Sequence, residues 1–155
     1  LSVAALVLED GGSEDEAIAA LLHDAVEDQG GQATRAEIER RFGGQIAEWV
    51  MALSDSDTIP KPPWRKRKEA YLEHLSAAVP EVLRISLADK LHNARSILED
   101  MRSEGPETLG RFNGGKTGTL WYYRRLVAIF NARLASPRAA ELERVVSELQ
   151  VLVRK

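Results

Sequence analysis

Apolar residues recur along almost the whole chain at the three-to-four-residue spacing of an α-helix, and no stretch alternates convincingly as a strand does. That pattern confines the fold to the all-α class, because helices with one apolar stripe must bury it against one another. The punctuation agrees. The opening run from Leu1 ends at Gly11-Gly12, and Ser13 followed by Glu16 spells a capping box for a helix expected to stop at Gly30-Gly31. Thr34 with Glu37 is expected to cap a short helix that carries Ile38 and Phe42. Gly43-Gly44 breaks it, and Ile46, Trp49, Val50 and Leu53 stripe the next. Residues 54–63 hold three prolines and form a loop. A helix from Trp64 to Ala78 turns Tyr71, Leu72 and Leu75 inward, and Pro80 opens a long helix. Residues 103–118 read as a Gly-rich loop, followed by helices over 119–134 and 137–153. At 155 residues, with no repeat and no low-complexity tract, this is one domain spanning 1–155.

Within that helical frame the segment Ala19-Ala20-Leu21-Leu22-His23-Asp24-Ala25-Val26-Glu27-Asp28 carries the chemistry. Projected on a helix, His23, Asp24, Glu27 and Asp28 share one arc, and Ile18, Leu21, Leu22, Ala25 and Val26 fill the opposite one. An imidazole beside a carboxylate is a ligand pair for a divalent metal. Two more carboxylates one turn on can position and deprotonate a water. The bland alternative is a solvated acidic face.

A second segment, Ile85 to Ser96, weighs against that alternative. On the helical projection Arg84, Ala88, His92, Arg95, Glu99 and Arg102 form the solvent stripe, whereas Asp89 and Asn93 sit one turn apart among Val82, Ile85 and Ile97. A carboxylate facing a core needs a partner or a metal. The His23-Asp24 pair is the best candidate, the alternative being a buried ion pair with an Arg or Lys. His92 and His74 read as surface or structural.

Two other motifs carry less. Gly110 to Thr117 fits the phosphate-binding pattern GxxxxGK[ST], but no strand precedes it. It is expected to be a Gly-rich connection that could still sit beside a phosphate-bearing substrate. The basic run Lys61, Arg65, Lys66, Arg67 and Lys68 reads as a solvated face or as a steering patch for a polyanion. Trp121-Tyr122-Tyr123 reads as structural.

A net charge of −3 argues against a general DNA or RNA partner. The absence of cysteine excludes disulfides and thiolate-bound zinc. No apolar run reaches membrane-spanning length and no signal peptide is visible, so no membrane association and a cytoplasmic location are expected. The chain opens without Met on what reads as mid-helix, so residues are expected to precede Leu1.

AALLHDAVED followed by LADKLHNARS resembles the HD-domain phosphohydrolases. More narrowly, the pair is similar to the hydrolase domain of RelA/SpoT-type alarmone enzymes and to stand-alone small alarmone hydrolases. The resemblance implies an all-helical HD bundle that binds one divalent ion, typically Mn2+, and hydrolyses the 3′-pyrophosphate of guanosine tetra- or pentaphosphate. Carried over by position, His23, Asp24 and Asp89 are metal ligands. Glu27 and Asp28 orient and activate the attacking water, and Asn93 and Ser96 touch the nucleotide. The family's first ligand His would fall just ahead of Leu1. Two rivals stay open: an HD nucleotidase or phosphodiesterase acting on another nucleotide, and a non-catalytic HD binding module. A homodimer is left open too.

Overall fold

Local capping starts the helices and apolar stripes assemble them. The computed structural model describes residues 1–26, 31–55 and 60–155, and no strand occurs among these. In chain order the helices are α1 (Ser2–Glu9), α2 (Glu14–Leu22), α3 (Gly31–Phe42), α4 (Gly44–Leu53), α5 (Trp64–Ser76), α6 (Pro80–Glu104), a 3-10 helix (Pro106–Arg111), α7 (Gly115–Arg133) and α8 (Pro137–Arg154). The capping box forms as the sequence requires: the Ser13 amide donates to Glu16 Oε2 at 2.6 Å, and the Glu16 amide donates to Ser13 Oγ at 3.2 Å. Gly43, at φ 94°, supplies the left-handed conformation that separates α3 from α4.

Helix α6 is the spine. It packs against α1, α2, α4, α7, α8 and the 3-10 helix. Its Leu83, Ile85, Leu87 and Leu91 are fully buried, and they meet a core completed by Val7, Val50, Leu126, Phe130, Leu142 and Leu149. Each such side chain contributes roughly 1.5–3 kcal/mol through burial.

That central position accounts for the main departures from the helical projection. Ala88, placed on the solvent stripe by sequence, is buried, because neighbouring helices cover all but the Arg84 position of α6 between Val82 and Ala88. Only from Arg95 onward does a wet stripe exist, with Arg95, Glu99 and Arg102 exposed and His92 half-buried above it. Asn93, expected to face the core, is exposed. Thr34 does not cap α3, which begins three residues earlier at Gly31, and Phe42 lies exposed at its end. Helix α2 ends at Leu22 instead of continuing to Gly30, and Leu21 is exposed. The stretch 103–118 is mostly helical: α6 runs on to Glu104, a 3-10 helix follows, and α7 begins at Gly115. Among the described residues no helix is long and apolar enough to cross a membrane.

Candidate active site

The end of α2 is anchored by Ala19 and Ala20, both buried against the core, so the residues that follow emerge beside α6. His23 is the C-cap of α2, where a helix leaves carbonyls without partners. Its Nδ1–H satisfies one of them by donating to the Ala20 carbonyl at 2.5 Å. That bond fixes the ring and aims Nε2 away from the helix. Nε2 lies 3.2 Å from Asp24 Oδ2 and 3.3 Å from Asp89 Oδ1. The two segments that the sequence singled out therefore meet.

Asp89 is the most heavily engaged group. Its Oδ1 faces His23 and accepts from Asn93 Nδ2 at 3.3 Å, while Oδ2 accepts from Lys90 Nζ at 3.0 Å. Both readings offered for a buried Asp89 hold at once, since it faces the His-Asp pair and pairs with a lysine. The His23, Asp89 and Lys90 side chains are each largely buried, and the Asp24 side chain is mostly exposed. Burial opposes charge on His23, but the hydrogen-bonding carboxylates of Asp24 and Asp89 outweigh it and push the imidazole up to about 10. Burial raises Asp89, and Lys90 and His23 reverse that, holding its carboxyl far below the usual carboxylate range.

The donor set suits a cation. At bonds of about 2.1 Å, ligand atoms around a tetrahedral or octahedral ion stand roughly 3.0–3.4 Å apart, and the two Nε2-to-oxygen separations fall in that window. One imidazole nitrogen and two carboxylates are suitable chemistry for a transition-metal dication. They do not complete a site by themselves: among the described residues no group of three or more His, Cys, Asp or Glu forms a ready-made metal centre. Glu27 and Asp28 lie outside the described residues.

A cleft of about 550 Å3 opens beside the cluster, between α5, α6 and α7. Lys90 and Asn93, both in contact with Asp89, lie on its wall, and Ser96 follows one turn along. Across from them stand Trp64, Tyr122 and Tyr123. Ser96 Oγ donates to the His92 carbonyl at 3.1 Å, and the residue borders the cleft.

Several residues here went unassigned in the sequence. Lys90 was adjacent to Asp89 in plain view, but neighbours on a helix point apart, and only its long stem lets the ammonium turn back. The basic run divides. Arg65 stacks 3.4 Å over the Trp121 ring, while Arg67 and Lys68 pair with Asp55 at 2.6 and 3.0 Å, and Lys68 reaches the cleft. Burial draws the Lys68 ammonium down from its ordinary value. Tyr122 and Tyr123 are core residues, as expected, yet they also form cleft wall. The GxxxxGK[ST] stretch has no strand before it. Lys116 ion-pairs with Glu107 at 3.1 Å, while Phe112 and Asn113 border the cleft.

Comparison with known proteins agrees with this fold and motif pair. The HD domain family matches residues 1–111, and the chain belongs to that family. It is 38% identical over 99 residues to the guanosine-3′,5′-bis(diphosphate) 3′-pyrophosphohydrolase MESH1 of Xenopus tropicalis, a match covering 63% of this chain and 52% of that protein. It is 38% identical over 86 residues to the bifunctional (p)ppGpp synthase/hydrolase SpoT of Escherichia coli K12, covering 52% of this chain and 12% of SpoT. The crystal structure of lmo0812 from Listeria monocytogenes EGD-e superposes with a TM-score of 0.82 at 27% identity, covering 96% of this chain and 92% of that one. The chain spans about half the length of the MESH1 proteins it matches.

Proposed function

We propose that this chain is the hydrolase domain of an alarmone-degrading enzyme, a metal-dependent phosphohydrolase that removes the 3′-pyrophosphate of guanosine 3′,5′-bis(diphosphate) and of the corresponding pentaphosphate. The observation that carries this reading is the approach of the Asp24 and Asp89 carboxylates to His23 Nε2, at 3.2 and 3.3 Å, which joins two distant segments of the chain beside a cleft that offers cations and aromatic rings. The similarity to MESH1 and SpoT supports the choice of substrate.

His23, Asp24 and Asp89 are the residues that would hold the divalent ion, Mn2+ by resemblance. Bound there, it would supply the positive charge that acidifies a water and steadies phosphate oxygens. The remaining work falls to the chain. The Nδ1–H bond to Ala20 keeps Nε2 of His23 directed at the site. Lys90 and Asn93 orient the Asp89 carboxylate. Lys90 and Lys68 present ammonium groups to the polyphosphate. Glu27 and Asp28 position the attacking water and take its proton. Asn93 and Ser96 touch the nucleotide.

The test is incubation of the Mn2+-loaded protein with guanosine tetraphosphate, other nucleotides being assayed in parallel. Release of pyrophosphate, leaving GDP, is expected. Turnover of deoxynucleoside triphosphates or monophosphates alone would make the chain a different HD nucleotidase. Binding without turnover of any nucleotide would make it a non-catalytic module.

A further inference from the structure

A fold that buries charge for stability alone pairs it. At the start of α5 the pairing is uneven. Asp55, just past the end of α4, accepts from Arg67 Nη1 at 2.6 Å and from Lys68 Nζ at 3.0 Å through the same oxygen, Oδ2. The Asp55, Arg67 and Lys68 side chains are only 17, 12 and 17% exposed. Arg67 matches the carboxylate charge for charge and is held a second time by donating to the Pro62 carbonyl at 3.0 Å. Among the described residues Lys68 is the extra cation. A lysine stem is long and flexible enough to carry its ammonium out to water. This one stays under cover, although burial and the nearby Lys90 draw it below its ordinary value against the pull of Asp55.

The extra cation meets the cleft. Lys68 lines it, and Asp55 does not. Lys68 Nζ stands 5.1 Å from the centre of the Tyr122 ring, and Lys90 Nζ stands 5.9 Å from the same centre. Lys90 is tied in the same manner, by Asp89 at 3.0 Å. Two ammonium groups are thus brought to one aromatic ring, each bound to a carboxylate that does not itself line the cleft. Like charges placed together repel, and an anion that meets both relieves the repulsion.

We propose that Asp55 is a positioning residue: from outside the cleft it holds the Lys68 ammonium beside that of Lys90, so that both meet the same polyphosphate. The inference rests on the proposed nucleotide substrate. Asp55→Asn keeps the shape and removes the charge, Lys68→Met keeps the stem, and Arg67→Met removes the other cation. The measurement is turnover of guanosine tetraphosphate with Mn2+. Asp55→Asn and Lys68→Met are each expected to raise KM about tenfold with kcat nearly unchanged, the sign of lost binding shared by ground and transition states. The double variant should bind no more weakly than the weaker single one, because Asp55 acts through Lys68. Arg67→Met should keep the parent's KM. A carboxylate that only stapled α5 in place would lower the melting temperature when replaced and leave KM alone. An Asp55→Asn variant with the parent's KM, or one whose effect persists in full beside Lys68→Met, overturns the role of Asp55 and leaves the hydrolase reading standing. If that variant does not fold, a crystal structure of the parent with inorganic pyrophosphate decides. Lys68 Nζ should touch a phosphate oxygen while still paired with Asp55, and a Lys68 that has left Asp55 overturns the inference. If the parent binds the nucleotide without hydrolysing it, and the same cycle holds in dissociation constants, the inference stands and the hydrolase reading falls. A parent that binds no guanosine polyphosphate overturns both.

Discussion

Helices α2 and α6 are joined by buried charge at two places, and the two places differ. At the start of α2, Glu16 meets Arg84: one carboxylate, one guanidinium, and a capping box that occupies the other Glu16 oxygen. That cluster is complete. Just beyond the end of α2, two carboxylates, an imidazole, an ammonium and an amide crowd together beside an open cleft. The first arrangement neutralises charge and locks the helices. The second gathers more ligand atoms than its ion pairs need, and a cleft opens beside it. Buried ions at a helix interface are not in themselves a site; the surplus of donors and an adjoining cavity make one.

The largest effect should come from removing Asp89. Asp89→Ala is expected to abolish both metal uptake and turnover, read by metal analysis of the purified protein and by pyrophosphate release. Full turnover with metal bound would erase the distinction between the two clusters. Glu27→Ala should separate the roles further, keeping the metal while turnover falls about 10²–10⁴-fold, the usual range for loss of a general base. A variant as fast as the parent would show that Glu27 does not prepare the water.

At the other cluster the response should be one of stability. Arg84→Ala strands a buried carboxylate, and the expected loss is about 3 kcal/mol, toward the lower end for a buried pair because the arginine is partly exposed. Chemical denaturation measures it, and turnover per folded molecule should be retained. The smallest effect belongs to Ser86→Ala, which leaves the buried Tyr71 hydroxyl without its partner and should cost roughly 1–2 kcal/mol with no change in metal content.

Much of this could be seen in the sequence, for identifiable reasons. Capping boxes, glycine breaks and 3.6-residue stripes are local, so the helix order and the Ser13–Glu16 start appear as expected. The convergence of His23, Asp24 and Asp89 was legible because a carboxylate amid apolar neighbours demands a partner. What a single-helix projection cannot carry is enclosure. Ala88 is buried and Asn93 exposed because of what packs around α6, information that lies in other helices. The cleft was hidden for the same reason. Of its two cations, Lys68 comes from the run that reads as a solvated face or a steering patch and Lys90 from beside Asp89, and its aromatic wall depends on Trp64 finding bare backbone at Gly114 and Gly118.

The central claim is that His23, Asp24 and Asp89 share one divalent ion. The direct measurement is a crystal structure of the Mn2+-loaded protein with anomalous data collected at the manganese edge. The account predicts a single strong peak within about 2.3 Å of His23 Nε2 and of a carboxylate oxygen from each of Asp24 and Asp89. A peak elsewhere, or none while the imidazole keeps its hydrogen bonds to both carboxylates, would contradict it.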